Sequence, residues 1–426
     1  MGRTALPKLR ALRWWIIGLV MLGAIVNYLT RSAMGVAAPT VLKDLGVSVK
    51  EYSWITSAFQ LGIMLQPACG YVLDTLGLRT GFAVFAAAWS LIAMAHGLAA
   101  NWQGLAALRG LLGLAEGSAQ PAGMKAVATW FPASERGFAG GVFNIGASIG
   151  SVLAPPLVVW AVLTWSWRAA FVLTGVLGLL WVALWLIFYR APDRHPALSA
   201  EERQRIAAGQ EAHLASAGGA RPSIPSILGQ RWFWGIALPR FLADPTWGTL
   251  SFWVPLYLTQ TRGFDLKQIA LFAWMPFVAA DLGCLFGPAV AHLFQKRGVS
   301  LINARRMAFT LGAALMTGMM FVGRVHSPYA AIALLCLGGF AHQTLSVTVI
   351  TMASDLFRRD EVATVAGLAG MMGNLGVLLF SLLIGGLVTR IGYDPFFVAL
   401  GVLDIGGAVL LWTLVKDPAA PEVVRS

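Results

Sequence analysis

The stretch Trp14–Leu42, WWIIGLVMLGAIVNYLTRSAMGVAAPTVL, is an apolar segment that carries one arginine, Arg31, inside it. A helix of about 20 apolar residues is long enough to cross the hydrocarbon core of a bilayer. An arginine at the centre of such a helix costs about 2.5–3.5 kcal/mol to insert, so it persists where it faces a protein interior or a watery cavity. The segment therefore predicts a membrane-spanning helix with a polar site beside it.

The same apolar pattern recurs along the whole chain. Of its 426 residues, 58% are apolar and only 12% are charged, whereas soluble proteins carry about 25% charged residues. The apolar runs begin near Trp14, Trp54, Phe82, Leu105, Phe138, Phe171, Phe233, Ile269, Met307, Ile332, Val362 and Phe396. Twelve spans with short loops nearly fill the chain, so we predict an all-α polytopic protein of twelve transmembrane helices in the lipid bilayer.

The formal net charge of +12 invites a nucleic-acid partner, but the distribution of the charge argues against one. With both termini placed in the cytoplasm, the basic residues concentrate in cytoplasmic loops, above all between Arg190 and Arg231. That asymmetry is the positive-inside pattern of membrane proteins. We therefore interpret the basicity as a sign of topology and predict no nucleic-acid partner.

The chain carries no recognisable catalytic signature. There is no Ser-His-Asp arrangement or phosphate-binding loop, and Cys69, Cys284 and Cys336 have no metal-ligand spacing. The apolar spans also leave too few polar residues for a catalytic domain. We expect no enzyme activity, no catalytic residue, no metal and no cofactor.

A long polar interval from Arg190 to Gln230 divides the chain into halves of similar length. It predicts an N-terminal six-helix bundle (1–190), a cytoplasmic linker (191–230) and a C-terminal six-helix bundle (231–426). Within the linker, LSAEERQRI has a serine followed by acidic residues, which favours a short surface helix.

The two halves resemble each other. TWFPASERGFAGG begins at Thr129 and SDLFRRDEVATVAG at Ser354, and both lead into glycine-rich spans. The glycines are Gly137, Gly141, Gly146 and Gly150 in one span, and Gly367, Gly370, Gly373 and Gly376 in the other. Four-residue spacing of glycines lets helix backbones approach closely. We interpret the two spans as a seam where the bundles slide, with ordinary helix packing as the alternative. Repeats of this kind usually place the binding site at their interface.

Several motifs identify a family. GYVLDTLGLRTG, with Gly70, Asp74, Gly77 and Arg79, resembles the loop 2–3 signature of the major facilitator superfamily, without its second basic pair. LRGLLGLAEGSAQPAGMKAVATWFPASERG resembles the fourth span of the anion:cation symporter family. NYLTRSAMGVAAPTVL, GIALPRFLADPTWGT, IALFAWMPFVAADLGC and LCLGGFAHQTLS are similar to the bacterial hexuronate transporters of that family.

The resemblance implies proton-coupled uptake of galacturonate or glucuronate by alternating access across the bacterial cytoplasmic membrane, with the loop 2–3 signature as a gating motif. It makes Arg31 the carboxylate-binding arginine, and Arg109 and Glu116 a charged pair in which Glu116 carries the proton. Many relatives have an aspartate before the first-span arginine, where this chain has Thr30. A coupling scheme with two carboxylates therefore cannot be carried over intact.

The chemistry of the residue types agrees with this. Guanidinium matches a carboxylate with two parallel N–H groups better than ammonium does, which favours Arg31; the alternative is an arginine that snorkels to the interface. Arg109 and Glu116 are seven residues apart and share a helix face. They form either a structural ion pair with neighbours or an acid tuned by an arginine.

Arg240 and Asp244 are four residues apart between Pro239 and Pro245, in the seventh span. Broken helices at membrane depth usually line a cavity, so Arg240 is a second candidate for substrate and Asp244 for the proton. The alternative is a self-neutralising pair near a membrane surface. Asp281 is either a relay group or a packing partner.

Other polar and aromatic residues lie in the predicted spans. His342 and Gln343 are candidates for sugar hydroxyls, as are Asn144 and Asn374, although each could instead bond across helices. Trp247 and Trp274 are candidates for stacking on a sugar ring. The rival functions are a symporter for another sugar acid (aldonate or aldarate), an uncoupled organic-anion uniporter and a membrane sensor. No obligate protein partner is evident.

Overall fold

The computed structural model describes residues 11–132, 135–214, 224–357 and 362–416, and these ranges contain eighteen α-helices and no strand. The first eight are α1 (Leu12–Leu45), α2 (Val49–Ile63), α3 (Gln66–Leu76), α4 (Leu78–Ala95), α5 (Trp102–Glu116), α6 (Ala119–Trp130), α7 (Arg136–Thr164) and α8 (Trp167–Phe188). The others are α9 (Ala200–Leu214), α10 (Ile224–Leu228), α11 (Arg231–Gly248), α12 (Val254–Arg262), α13 (Leu266–Phe272), α14 (Met275–Lys296), α15 (Leu301–Met316), α16 (Pro328–Leu356), α17 (Val362–Ile391) and α18 (Asp394–Leu414).

In the described part of the chain, eight helical segments are long and apolar enough to cross a membrane: α1, α4, α7, α8, α13 with α14, α16, α17 and α18. The remaining four predicted spans are helices with an interruption or a more polar sequence: α2 with α3, α5 with α6, α11 with α12, and α15 with the 3₁₀ turn Thr317–Phe321. One interruption has a simple cause, because Pro67 at the start of α3 has no N–H to continue the helix from α2. Together the segments give the twelve-span, all-α fold that the sequence predicts.

The seventh span changes its helical pitch in the middle. A π-helical turn, Thr249–Trp253, joins α11 to α12, and the backbone N–H of Val254 bonds to the carbonyl of Thr249. Pro245 lies just before the turn and Pro255 just after it. Neither proline can donate a backbone hydrogen bond, so the regular ladder is broken on both sides. The prediction of a broken helix here is confirmed.

The helices form two compact units. The first contains the described residues up to Met34 and those from Gly62 to Leu214, and the second contains Gly35–Leu61 and the described residues from Ile224 onward. The part of α1 up to Met34 and the part from Gly35 onward therefore belong to different units. The division into 1–190, 191–230 and 231–426 stays a prediction.

In the first unit, tryptophans fill the space between α4 and α8. Trp181 stacks between Trp89 and Trp185, at ring-centroid distances of 6.3 and 5.4 Å, and Phe82 meets all three edge-on. The indole N–H of Trp181 donates to the carbonyl of Leu19 on α1, at 2.9 Å. The indole N–H of Trp185 donates to the carbonyl of Arg79, so two of the three rings bury apolar area and also satisfy their polar atom within the unit.

The glycine-rich spans pack inside the units. On α7, a Cβ atom at Gly146 or Gly150 would collide with the carbonyl oxygens of Met21 or Ile25 on α1, in the same unit. On α17, a Cβ at Gly376 would collide with the carbonyl of Phe241 on α11, again in the same unit. Gly146, Gly150 and Gly376 therefore agree with the alternative of ordinary helix packing, and the interpretation of the two spans as a seam between bundles stays a prediction.

In the second unit, the end of α1 and the start of α2 pack against the seventh span and α17. Gly35 lies against the carbonyl of Ser251, whose usual donor is missing because Pro255 has no N–H. The phenol of Tyr52 donates to the carbonyl of Phe252 at 2.6 Å, and Thr56 shares a 2.7 Å hydrogen bond with Ser381. Residues at the end of α1 and the start of α2 thus contact carbonyl groups of the interrupted seventh span.

The linker contributes the predicted surface helix, α9, and the side chain of Ser199 accepts from the N–H of Glu202. The Glu202 carboxylate accepts from the backbone N–H groups of Leu12 and Arg13 and from the Arg13 guanidinium. An acidic side chain at these N–H groups satisfies donors that a helix start leaves open. Glu135 bonds to Arg13 and Arg205, so α9 is fastened to the start of α1.

Candidate functional site

The first charged cluster, Asn27, Tyr28, Arg31, Arg109 and Glu116, lies in the first unit. The Nε of Arg31 on α1 donates to Oε2 of Glu116, the last residue of α5, at 3.1 Å. The Arg31 Nη2 donates to Oδ1 of Asn27, one turn earlier, at 3.3 Å, and its guanidinium lies 4.4 Å from the ring centroid of Tyr28. The Arg31 side chain is 17% exposed and that of Glu116 is fully buried.

Arg109 holds the backbone of this cluster. Its side chain is fully buried, and its Nη2 donates to the carbonyl oxygen of Arg31 at 3.2 Å. Arg109 also interacts electrostatically with Glu116. It therefore fixes the position of α1 next to α5 and adds a second positive charge beside the buried carboxylate.

Close packing brings α5 to its neighbours. A Cβ atom at Gly62 on α2 would collide with the carbonyl of Gly110 on α5. Helix α5 ends at Glu116 because the chain turns at Gly117 and Ser118 before α6 begins, and Ser118 Oγ bonds to the carbonyl of Ala115. The turn places the Glu116 carboxylate at a helix end within the unit, where it meets Arg31.

Thr30 takes no part in the charged contacts. Its hydroxyl donates to the carbonyl of Val26, one turn earlier, at 2.9 Å. A threonine bonded to its own helix supplies no titratable group at this position. Among the described residues of this cluster, Glu116 is thus the one carboxyl group, and Arg31 lies beside it.

The second charged cluster, Arg240, Asp244, Trp247 and His342, lies in the second unit. The Nη2 of Arg240 donates to Oδ2 of Asp244, one turn along α11, at 3.1 Å; the side chains are 17% and 15% exposed. A Cβ atom at Gly373 on α17 would collide with the Asp244 carboxylate, and one at Gly370 would lie 3.5 Å from Arg240 Nη1. These glycines leave room for the ion pair.

An aromatic wall adjoins the pair. Trp247 stacks on the His342 ring of α16, with centroids 5.8 Å apart and an angle of 24°, and meets Phe277 edge-on at 5.3 Å. The His342 ring is almost fully buried, and its Nδ1 has no hydrogen-bond partner among the described residues. The cluster thus presents an ion pair, an indole face and an imidazole within one unit.

For the other predicted residues the structure gives a position and a degree of burial. Gln343 and Asn374 are half-buried neighbours of His342 and Gly373, Asn144 is exposed on α7, and Trp274 is half-buried just before α14. Asp281 is half-buried on α14 and interacts electrostatically with Cys284, one turn along. Their roles stay predictions.

The loop 2–3 motif forms a rigid turn. Gly77 separates α3 from α4 with φ +76°, a conformation that favours glycine. Arg79 donates to the carbonyl oxygens of Tyr189 and Leu186 and so closes the end of α8. Gly70 lies 3.8 Å, measured from a built Cβ, from Pro121. The side chain of Asp74 lies outside the described part of the chain, and the gating role stays a prediction.

Sequence reasoning missed three residues that the structure brings forward. Asn27 and Tyr28 contact the Arg31 guanidinium. The sequence signal for both was their position four and three residues before Arg31, about one helical turn away. Asp404 is fully buried in α18, and an acid inside the apolar run GVLDIGG was its signal. The described residues contain no group of three or more His, Cys, Asp or Glu that could hold a metal ion.

Comparison with known proteins identifies the family. The chain matches the Major Facilitator Superfamily over residues 20–323 and 299–426. It belongs to that superfamily. As a member of it, the chain is a membrane transporter and not an enzyme.

Characterised members of the superfamily are similar along most of this chain. The Hexuronate transporter of Escherichia coli (strain K12) is 48% identical over 420 residues, which cover 98% of this chain and 97% of the relative. The Galacturonate transporter of Dickeya chrysanthemi is 50% identical over 328 residues, covering 76% of this chain and 95% of the relative. The resemblance that the motifs predict is confirmed.

Solved structures show the same fold. A D-xylose-proton symporter superposes with a TM-score of 0.73 at 14% identity, covering 95% of this transporter and 98% of that chain. A bacterial homolog of the human lysosomal transporter Spinster, in an inward-facing and unoccupied conformation, gives 0.71 at 15% identity, covering 95% and 96%. At these identities the likeness concerns the fold alone.

Proposed function

We propose that this transporter takes up hexuronates, galacturonate or glucuronate, together with protons by alternating access. It acts in the bacterial cytoplasmic membrane with both termini in the cytoplasm. The names of its 48% and 50% identical relatives support the substrate class, and the distribution of basic residues supports the orientation.

The observation that carries the proposal is the Arg31–Glu116 pair. A hexuronate is a ring of hydroxyls with one carboxylate, and a planar guanidinium binds a carboxylate through two parallel hydrogen bonds. In the structure the Arg31 guanidinium is held by Glu116 and Asn27. The substrate carboxylate and Glu116 therefore compete for one cation.

This competition couples the anion to a proton. Glu116 is fully buried, and its Oε1 has no hydrogen-bond donor among the described residues. When the substrate carboxylate takes Arg31, the ionised Glu116 loses its hydrogen-bonded cation and retains the electrostatic interaction with Arg109; removing one partner of a buried ion pair is strongly unfavourable. Glu116 then takes up a proton. After the substrate leaves, Arg31 is available again, and Glu116 releases the proton and returns to it.

The remaining residues are assigned to the sugar and to gating. Asn27 orients Arg31, and Tyr28 and Trp247 offer ring faces to a pyranose. His342, Gln343, Asn144 and Asn374 supply hydroxyl partners, and Trp274 a further ring face. Arg240 is a second anchor for an oxygen-rich anion, and Asp244 and Asp281 are further acids. Gly70, Asp74, Gly77 and Arg79 form the gating turn.

Uptake into proteoliposomes tests the proposal. Labelled galacturonate is measured with and without an inward proton gradient for the wild type and for Glu116→Gln, with Glu201→Gln at the exposed start of α9 as a matched control. We expect accumulation above equilibrium only with the gradient in the wild type and the control. In Glu116→Gln we expect exchange to persist and accumulation to vanish.

Two outcomes would contradict the proposal. If the wild type only equilibrates galacturonate across the membrane, to the same extent with and without the proton gradient, the protein is a uniporter. Absence of galacturonate and glucuronate uptake, with transport of an aldonate or aldarate by the same vesicles, would assign the carrier to another sugar acid.

A further inference from the structure

Asn27 carries a hydrogen-bond donor that no described residue uses. Its side chain has no exposed surface, and its Oδ1 accepts from the Nη2 of Arg31 at 3.3 Å. Its Nδ2 is buried as well and has no acceptor among the described residues. Buried polar groups in native proteins are nearly always hydrogen-bonded. A buried amide nitrogen without an acceptor, in contact with the arginine of the proposed substrate site, therefore needs an explanation.

The orientation of the Asn27 amide is fixed by Arg31. A guanidinium has N–H donors and no acceptor, whereas an asparagine amide has one oxygen that accepts and one nitrogen that donates. The amide atom that contacts Arg31 must therefore be the oxygen. A flipped amide would set donor against donor. The two N–H bonds of Nδ2 are consequently left for another group.

The groups that adjoin Asn27 in the described part of the chain do not accept from Nδ2. Glu116 is bonded through Oε2 to the Nε of Arg31, and its Oε1 is not within hydrogen-bonding reach of Nδ2. One turn earlier on α1, a Cβ atom at Gly23 would collide with the ring of Trp181, whose indole N–H is itself a donor to a backbone carbonyl. An acceptor supplied by a bound ligand would satisfy the amide.

A hexuronate carries such an acceptor next to its carboxylate. In the pyranose form, the carbon that bears the carboxylate also bears the ring oxygen, which accepts hydrogen bonds and has no hydrogen to donate. When Arg31 binds the carboxylate, the ring oxygen is therefore the adjoining substrate group, and Asn27 is the adjoining protein group. Galacturonate and glucuronate differ only in the orientation of the hydroxyl on the next ring carbon. The ring oxygen is common to both.

We propose that Asn27 is a specificity-determining residue whose Nδ2 donates to the ring oxygen of the hexuronate that Arg31 binds. The oxygen of the same amide positions the Arg31 guanidinium. The contact favours acids that have an acceptor beside the carboxylate, and it does not distinguish galacturonate from glucuronate. This inference rests on the proposed transport of hexuronates and does not depend on proton coupling.

Competition by a substrate analogue tests the contact in the wild type. The analogue is the carbocyclic form of galacturonate, in which a CH₂ group replaces the ring oxygen. The measurement is the concentration of each unlabelled acid that halves the uptake of labelled galacturonate into proteoliposomes. A buried donor left unpaired is costly, so we expect the analogue to compete on the order of 10-fold more weakly than galacturonate.

Two variants assign the difference to Asn27. Asn27→Leu and Asn27→Asp both lack the N–H group, and Asn27→Asp keeps an oxygen for Arg31. A displaced Arg31 or an added charge weakens both ligands alike, whereas loss of the ring-oxygen contact weakens galacturonate alone. The ratio of the two concentrations therefore isolates the contact, and we expect it to fall to about one in both variants. The ratio of galacturonate to glucuronate should stay as in the wild type.

Asn101→Asp is the matched control. Asn101 is exposed at the start of α5, where its side chain accepts from the N–H of Gly104. Aspartate caps a helix as well as asparagine does. We expect this variant to keep the wild-type ratio between the analogue and galacturonate, because it makes the same substitution away from the site.

Equal competition by the analogue and galacturonate in the wild type would overturn the proposal without any variant. A wild-type ratio that persists in Asn27→Leu or Asn27→Asp would overturn it as well. If the wild type takes up neither hexuronate, the proposed function fails and this inference fails with it. If uptake occurs but ignores the proton gradient, only the proposed symport fails, and the competition still decides the role of Asn27.

Discussion

The two units each contain an arginine–carboxylate pair at 3.1 Å, but the pairs are built differently. Arg31 and Glu116 belong to different helices, 85 residues apart, and Glu116 is fully buried. Arg240 and Asp244 lie four residues apart on one helix, and Asp244 is 15% exposed. Both arginines are 17% exposed, so the difference lies in the acids. The two distances are equal, but we expect the loss of the first pair to cost more than the loss of the second because Glu116 is more deeply buried than Asp244.

The largest difference between the pairs is expected when each arginine is replaced by glutamine. Arg31→Gln leaves a fully buried carboxylate without its donor, and removal of one partner of a buried pair costs about 3–5 kcal/mol. We expect galacturonate uptake to fall on the order of 100-fold, with lower thermal stability. Arg240→Gln leaves a partly solvated acid, and we expect a loss on the order of 10-fold, equivalent to about 1.4 kcal/mol.

Initial uptake rates and thermal unfolding in detergent measure both effects. Arg194→Gln, at an arginine whose side chain is 84% exposed, shows what the loss of an arginine outside the clusters does. If Arg240→Gln is the more damaging of the two cluster variants, the second pair and not the first is the main anchor.

An intermediate effect is expected from a single methyl group on α17. Gly373→Ala places a Cβ atom against the Asp244 carboxylate, so the Arg240–Asp244 pair has to shift. We expect uptake to fall severalfold while the Arg31 pair is untouched. Gly367→Ala is the matched control, because nothing lies within 4 Å of a Cβ atom there. Equal uptake by the two variants would show that the position of Asp244 is unimportant.

The smallest effect is expected at the aromatic wall. Trp247→Phe keeps a ring beside His342 but reduces the stacking area, and aromatic contacts contribute about 0.5–1.5 kcal/mol beyond area burial. We expect the KM for galacturonate to rise severalfold with little change in maximal rate. Tyr28→Leu removes the ring beside Arg31 and is the counterpart in the first unit. A change in maximal rate without a change in KM would assign Trp247 to the conformational cycle and not to the sugar.

Local relationships could be predicted from the sequence, whereas partners across helices could not. The Arg240–Asp244 bond follows from a spacing of four on one helix. The partner of Glu116 did not follow, because a spacing of seven with Arg109 fixes only a shared face. The structure bonds Glu116 to Arg31 and turns Arg109 to the Arg31 carbonyl. Tertiary packing makes that choice.

The fold shows the same limit. Twelve apolar runs predict twelve spans, and the prolines of the seventh span predict its interruption. The glycine spacing predicts close helix contacts, but the helices that approach Gly146 and Gly376 are known only from the packing. Asp404 escaped notice because it has no charged neighbour along its own helix.

The π-helical turn Thr249–Trp253 adds one residue to the helical repeat of the seventh span. One residue advances an α-helix by about 100°, so the extra residue in this turn rotates everything after it relative to Arg240 and Asp244. A deletion of one residue between Trp247 and Val254 would restore the regular α-helical repeat at this turn in a span of almost the same length. It would also turn the carbonyl of Phe252 away from Tyr52. In this span, the insertion or deletion of one residue therefore rotates the later part of the helix about its axis. A gap here in an alignment indicates that the side chains after it face a different direction.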